Sequence, residues 1–179
     1  MAGFEYRGQI SGAQDPIVES IIIAPSTTVT VGDAIYAVDG LAELCTNSTD
    51  IFGIVAGIVD KNGIDLDNTS SDNYDGTWTS STQTYTSSSD NNTDKQVKVL
   101  VIVDEYAIFY NDADGDFTNP DDLYKHVKLV SESQIDESTT DDDVGQFQVW
   151  KLNPDADDDS SKCHVRISRW QGSAFEPEA

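Results

Sequence analysis

The chain has 179 residues, enough for one domain or at most two small ones, and its 37 % hydrophobic content supplies a core and excludes wholesale disorder. Ten Lys+Arg against 33 Asp+Glu leave a formal net charge of −23 at pH 7 and a pI near 4.1. Such a field repels nucleic-acid backbones and anionic bilayers, so neither is an expected partner, and it favours divalent cations or a basic docking surface.

The opening MAGFEYRGQI shows no basic n-region, apolar h-region or small-residue cleavage site, so no secretory leader is expected. Ile17–Ala24 is a short β-branched run ended by Pro25, a length that suits a strand buried on both faces. Val29 and Val31 alternate with threonines before Gly32-Asp33, and Ala34–Val38 runs into Asp39-Gly40, a strong signal for a tight turn between two strands. Ile51–Val59 carries Gly53 and Gly57 within a strand pattern, where glycine marks a bulge or a close backbone approach. Lys61-Asn62-Gly63 adds a further hairpin signal.

From Ile64 to Lys95 the composition turns to Ser, Thr, Asn and Asp, with Tyr74, Trp78 and Tyr85 as the large apolar side chains. This polar insertion over 64–95 reads either as a mobile surface segment or as a long exposed hairpin whose aromatics pack across it. The clearest strand is Gln96–Asp104, where Val97, Val99, Val101 and Val103 share a face and Leu100 and Ile102 add apolar surface on the other; it is expected to be central. Glu105–Tyr110, Val127–Val130, Gln146–Leu152 and Lys162–Trp170 follow as strands, the last with Cys163, Val165 and Ile167 on one face and His164, Arg166 and Ser168 on the other. A helix over Pro120–Leu129, capped by Asn119, is the one helical candidate. Ser131–Asp143 is expected as a solvated loop. The fold class is therefore all-β, a compact barrel, β-tulip or sandwich with a long polar insertion and at most one short helix. The expected organisation is an N-terminal arm over 1–16, a single β domain over 17–170 and a flexible tail over 171–179. Cys45 and Cys163 stand far apart, and two buried free thiols are a better expectation than one disulfide.

Ligand spacing occurs at Asp112-Ala113-Asp114-Gly115-Asp116. Alternating carboxylates around a glycine can wrap oxygens about Ca²⁺, so Asp112, Asp114 and Asp116 are the candidate metal ligands, set against the alternative of an ordinary acidic turn. The EF-hand pattern is incomplete: with Asp112 at position one, Gly115 falls at four and Leu123 stands where the bidentate Glu belongs. Asn153–Asp159 lacks the glycine and reads as a charged hairpin loop. The two histidines, His126 and His164, fall in no GxSxG, HExxH, glycine-rich phosphate or paired-cysteine pattern, so no catalytic residue is assigned and enzymatic activity is not expected.

The run Thr27–Val59, with VTVGDAIYAVDG, then LAELCTNST, then IFGIVAGIVDKNG, resembles the small capsid decoration proteins of tailed phages. In those a hydrophobic strand, a Gly-Asp turn, an alanine-rich strand and a returning Gly-Ile-Val strand follow one another, and VKVLVIVDEYAIFYND looks like the next strand of the same unit. The resemblance covers about Ile17 to Asn111 and leaves Asp112–Ala179 as an elaboration. It implies a structural virion protein, a head-stabilising cement protein assembled in the host cytoplasm. Such a protein binds the major capsid protein on the outer surface of an icosahedral head, commonly as a homotrimer. On that reading the N-terminal residues Phe4, Tyr6 and Arg7 are candidate capsid or subunit contacts, the alternative being a frayed terminus. The competing class is an acidic, Ca²⁺-stabilised β-sandwich of carbohydrate-binding or adhesion type, which DADGD and the exposed aromatics would suit. A fibre segment would show tandem repeats, and none is visible.

Overall fold

A computed structural model describes residues 3–10, 15–47, 49–89, 95–142, 144–154 and 160–168. Among these, the strands in chain order are β1 (Glu5–Gln9), β2 (Val18–Ile23), β3 (Thr28–Thr30), β4 (Ala34–Val38), β5 (Leu41–Leu44), β6 (Gly53–Val59), β7 (Gly76–Thr79), β8 (Thr84–Ser87), β9 (Lys98–Ile102), β10 (Ala107–Asp112), β11 (His126–Ser131), β12 (Gln134–Asp141), β13 (Phe147–Leu152) and β14 (Lys162–Ile167). The chain is all-β. Strands β2-β5-β4-β6-β9 close a barrel, β1-β10-β14-β13-β11-β12 form a six-stranded sheet, and β3-β8-β7 form a small third sheet.

The barrel follows from its turn chemistry and its valines. Asp39 (φ 51°) and Gly40 (φ 79°) both sit in the left-handed region and set Val38 opposite Leu41, the two-residue turn whose twist matches a hairpin. Strand β9 lies between β2 and β6, with its Val99 and Val101, and Val97 just before it, buried inside. Strand β6 bulges between Val55 and Gly57. At Gly53 a Cβ would fall 2.4 Å from the Ile102 carbonyl oxygen, so the β6–β9 approach admits glycine alone.

The third sheet caps the barrel. The polar insertion adopts the hairpin form, β7 pairing β8 and β8 pairing β3. It is not merely an exposed hairpin, because Val29, Leu66 and Tyr85 join the barrel core. Its outer face carries threonines in register, with Thr28 Oγ1 2.9 Å from Thr86 Oγ1 and Thr30 Oγ1 3.0 Å from Thr84 Oγ1. Before the hairpin, the buried Asp60 carboxylate accepts from Asn62 N, Ile64 N and Thr69 Oγ1. The Lys61-Asn62-Gly63 signal is thus a side-chain-organised turn rather than a hairpin between long strands.

The six-stranded sheet presents Phe109, Val127, Leu129, Ile135, Phe147, Val149, Cys163, Val165 and Ile167 to a second core, which also takes Ile54, Ile102 and Ala34 from the barrel strands. Cys163, Val165 and Ile167 alternate inward as expected, but Ser168 is buried too. Both cysteines are buried and free, and burial pushes each thiol up to about 12.

Five expectations are corrected. Ile17 and Val18 are 61 % and 46 % exposed, so β2 is not buried on both faces; only its end at Ile23 is. Pro120–Leu129 is not a helix: Asn119 Oδ1 caps a single 3-10 turn over Pro120–Asp122, Tyr124 turns to φ 70°, and Val127 and Leu129 then alternate inward on β11. Ser131–Asp143 is not a loop, because it contains β12. That strand is anchored by the buried Ile135, whose N–H donates to Asn111 Oδ1 (3.2 Å), while Asn111 Nδ2 donates to Ser133 O (3.0 Å). Glu105–Tyr110 does not prolong β9: Asp104 turns the chain, its carboxylate accepting from Gln9 Nε2 (2.6 Å), Tyr106 N (2.9 Å) and Ile17 N (3.4 Å), and β10 starts in the other sheet. The N-terminal segment also differs from a free arm, since Glu5–Gln9 pairs with β10. The tail over 171–179 lies outside the described residues.

Asp33 sits where the three sheets meet. It is 6 % exposed, its carboxylate accepts from Thr30 N at 2.7 Å, and Ala34 N donates to Glu132 O at 2.6 Å. Burial, with Glu132 adding repulsion and the Thr30 bond opposing, pushes its pKa from 3.8 up to about 6. The folded state therefore takes up this proton before the unfolded chain does. Its contribution is favourable below the unfolded value and is lost as pH rises through about 6. Asp33→Asn keeps an acceptor for Thr30 without the buried charge. In urea unfolding it is expected to be more stable than the parent by about 1–3 kcal/mol above pH ~7, with the gap closing towards pH ~4; a variant less stable throughout would contradict this.

Candidate functional site

The structure does not gather the three candidate metal ligands. Strand β10 ends at Asp112 and the chain bends at Asp114-Gly115, and Asp112 is neutralised by an ion pair with Lys162 of β14 and a 2.7 Å bond from Ser161 Oγ. Burial alone would raise the Asp112 pKa, but Lys162 and Ser161 outweigh it and hold the group below its ordinary value. Asp116 is exposed and stands outside the carboxylate cluster that does form.

That cluster joins Asp114 to Asp136 and Glu137 of β12, with one ligand oxygen from each lying within 4.8 Å of the others. Asp114 N donates to Ile135 O at 3.0 Å, which brings the two segments together. Gly115 allows the approach, since a Cβ there would lie 2.5 Å from Glu137 Oε1. Desolvation, a hydrogen bond shared with Asp114 and repulsion from Asp114 and Asp136 raise the Glu137 pKa. Three carboxylates so placed hold a shared proton or supply part of the oxygen shell of a hard divalent cation. Asp136 and Glu137 were invisible to a reading based on local spacing, because they come from a strand twenty residues away.

The other feature is apolar. Between the barrel and the six-stranded sheet runs a groove of about 680 Å³ lined by Phe4, Tyr6, Val18, Ile54, Ile102 and Phe109, with Lys162 and Asp112 at its rim. The three N-terminal candidates divide there. Phe4 is 4 % exposed, stacked on Phe147 (4.5 Å, 18°) and edge-on to Phe109 (6.5 Å, 87°), so its ring belongs mainly to the core and is not a free contact. Tyr6 packs against Phe109 (6.2 Å) and lines the groove. Arg7 lies on the other side of β1, over the Tyr110 ring at 4.8 Å and paired with Glu5 at 3.1 Å.

Next to the groove is a hollow of about 640 Å³ lined by Gln9, Asp15, Ile17, Asp104, Glu105 and Tyr106. The Asp104 turn fixes its walls and leaves Ile17 and Tyr106 (45 % exposed), with Ile10 (38 %) and Val18 (46 %), on the surface. Ile10 N donates to Tyr106 O, and Val103 N to Ile17 O, both at 3.0 Å. The outcome is an apolar hollow, with Ile17 and Tyr106 beside the acidic Asp15 and Glu105, held on hydrogen-bonded backbone, while Val18 lines the groove.

Comparisons with protein-family models, with curated proteins and with solved structures find no match to this chain.

Removing one charge from the carboxylate cluster tests its state. Because the Glu137 pKa is raised, its deprotonation opposes folding, and stability falls as pH rises through the folded value. Glu137→Gln is expected to raise the melting temperature at pH 7 in EDTA, and the gain is expected to shrink as pH falls. Millimolar Ca²⁺ is expected to narrow the same gap by stabilising the parent; a gap indifferent to Ca²⁺ would assign the cluster to a shared proton alone.

Proposed function

We propose that this chain is a structural virion protein that binds the outer surface of an icosahedral phage head and stabilises it by bridging capsomers, acting as a homotrimer against the major capsid protein. The observation that carries the reading is the hollow in which the exposed apolar side chains Ile17 and Tyr106 stand beside Asp15, Asp104 and Glu105. An apolar centre with a charged rim is the composition of a docking patch. The acidic rim asks for a partner surface with apolar residues framed by Lys and Arg, and the net charge of −23 speeds encounter with such a surface. Three copies on one lattice site would multiply a modest patch by avidity. The resemblance of the Thr27–Val59 sequence to decoration proteins supports the same reading. A calcium-stabilised binding module is the second reading, and the Asp114–Asp136–Glu137 cluster is what favours it.

The experiment is co-sedimentation of the purified chain with heads assembled from the major capsid protein of the same phage. The parent is expected to saturate the heads at a fixed stoichiometry and to raise their disruption temperature. Ile17→Asp, at an exposed position, is expected to weaken binding by about tenfold or more with its fold retained. Parent protein that leaves heads unbound, or an Ile17→Asp variant that binds as the parent does, would refute the assignment.

A further inference from the structure

The outer face of the six-stranded sheet gathers the cations of this acidic chain. Arg7, Lys128, Lys151, Lys162 and Arg166, five of the ten Lys+Arg, lie on its strands. Lys162, His164 and Arg166 face outward because Cys163, Val165 and Ile167 face the core. Arg7 and Lys162 have carboxylate partners, and Lys151 Nζ donates to Pro154 O at 2.9 Å.

Arg166 is different. Its Nε and Nη2 donate to Gln148 Oε1 at 2.8 and 2.5 Å, and its Cζ stands 5.4 Å from the centroid of the Trp150 ring. No carboxylate pairs with it among the described residues, in a chain with 33 Asp+Glu. A guanidinium has five donors; Gln148 takes two along the Nε/Nη2 edge, which leaves the terminal Nη1/Nη2 edge, a pair of parallel donors that fits a carboxylate.

Gln148 also ties the arginine to an aromatic side chain. Its Nε2 donates to Tyr124 O at 2.8 Å, and Tyr124 N donates to Val149 O at 2.9 Å. These bonds hold Tyr124 at φ 70°, a conformation that costs a bulky residue of the order of 1 kcal/mol or more. The ring held there is 55 % exposed and edge-on to Trp150 at 5.7 Å and 74°. An exposed ring recovers little by burial, so the fold keeps a strained backbone in order to present it.

From this arrangement we infer that Tyr124, Trp150 and Arg166 form a binding site for an acidic saccharide, a sugar ring carrying a carboxylate. The exposed Tyr124 ring offers a flat apolar face to the C–H face of a pyranose, Trp150 meets that ring edge-on and carries the guanidinium over its own ring, and the terminal edge of Arg166 takes the carboxylate. A peptide strand finds no free backbone to pair with, because β13 and β14 are interior strands. Nucleic acid is opposed by the net charge. A single carboxylate beside a mostly neutral ring escapes much of that repulsion, since charges farther than about 8 Å are screened at physiological salt. The site shares no residue with the Ile17–Tyr106 hollow, so it stands whether or not the chain coats a head.

The test is calorimetric titration of the full chain, in physiological salt with EDTA, using sialyllactose and glucuronosyl-xylotriose, each with one carboxylate, as acidic saccharides, maltotetraose as the neutral counterpart and acetate as the anion alone. At least one acidic saccharide is expected to bind, with maltotetraose and acetate about tenfold weaker or worse. Arg166→Gln and Tyr124→Asn are each expected to lose about tenfold in affinity. Asn tolerates the left-handed region, so Tyr124→Asn is expected to keep or raise the melting temperature. Arg166→Lys, which keeps the charge without the fork, serves if the Gln variant does not fold. Absence of binding to both acidic saccharides, equal binding of the neutral one, or full affinity in the Tyr124 and Arg166 variants would overturn the proposal.

Discussion

The structure depends on one apolar seam, where the outside of a closed barrel is also the floor of a second core. Barrel strands normally show solvent their outer faces, but Ile54 and Ile102 point out of this barrel into the cluster built by Phe109, Phe147 and the valines of the six-stranded sheet. Phe4 closes the seam at one end, stacked on Phe147, with its N–H bonded to Gly32 O at 2.8 Å. Gly32 must be a glycine there, since its φ is 98° and a Cβ would lie 3.1 Å from Phe4 O. Gln146 pins the seam from another side: it is 2 % exposed, its Nε2 donates to Thr46 O and Thr49 O, and its Oε1 accepts from Leu129 N. A buried amide satisfied this fully ties a barrel loop to the sheet and admits few alternative arrangements.

The candidate functional features follow from that seam. Where the two layers splay beyond Phe4 they leave the groove lined by Tyr6 and Val18, and the Asp104 turn that hands the chain from β9 to β10 carries Ile17 and Tyr106 outward. The acidic cluster forms at the far end of β10, where the chain leaves the sheet and meets β12. The Tyr124–Trp150–Arg166 group lies on the sheet face that the seam leaves to solvent. Each feature sits on paired strands or on a turn locked by side-chain bonds, which is how a β scaffold holds surface groups in place without helices.

What was legible in the residues was whatever local pattern decides alone. Asp39-Gly40, the valines of β9 and the alternation of Cys163, Val165 and Ile167 each encode their geometry within a few positions. Strand β12 was not legible, because one buried residue, Ile135, and a remote side chain, Asn111, define it amid polar neighbours. The segment after Asn119 carried helix-start chemistry, yet burial of Val127 and Leu129 at period two overrode it. The Asp112–Asp116 spacing misled for the complementary reason: Lys162 of a neighbouring strand claims Asp112, the chain bends at Asp114-Gly115, and the residues that converge with Asp114 come from another strand. The roles of Tyr85 and Leu66 as the barrel's plug could not be read from a segment whose composition is that of a loop.

The most direct test of this architecture is the free energy of unfolding of Phe4→Ala, measured by urea titration against the parent. If the N-terminal strand closes the seam, removing a ring buried against Phe109 and Phe147 costs about 3–5 kcal/mol, with the transition still cooperative. A loss below about 0.5 kcal/mol, the range of a surface substitution, would mean that Phe4 belongs to a free arm and that the two layers meet without it.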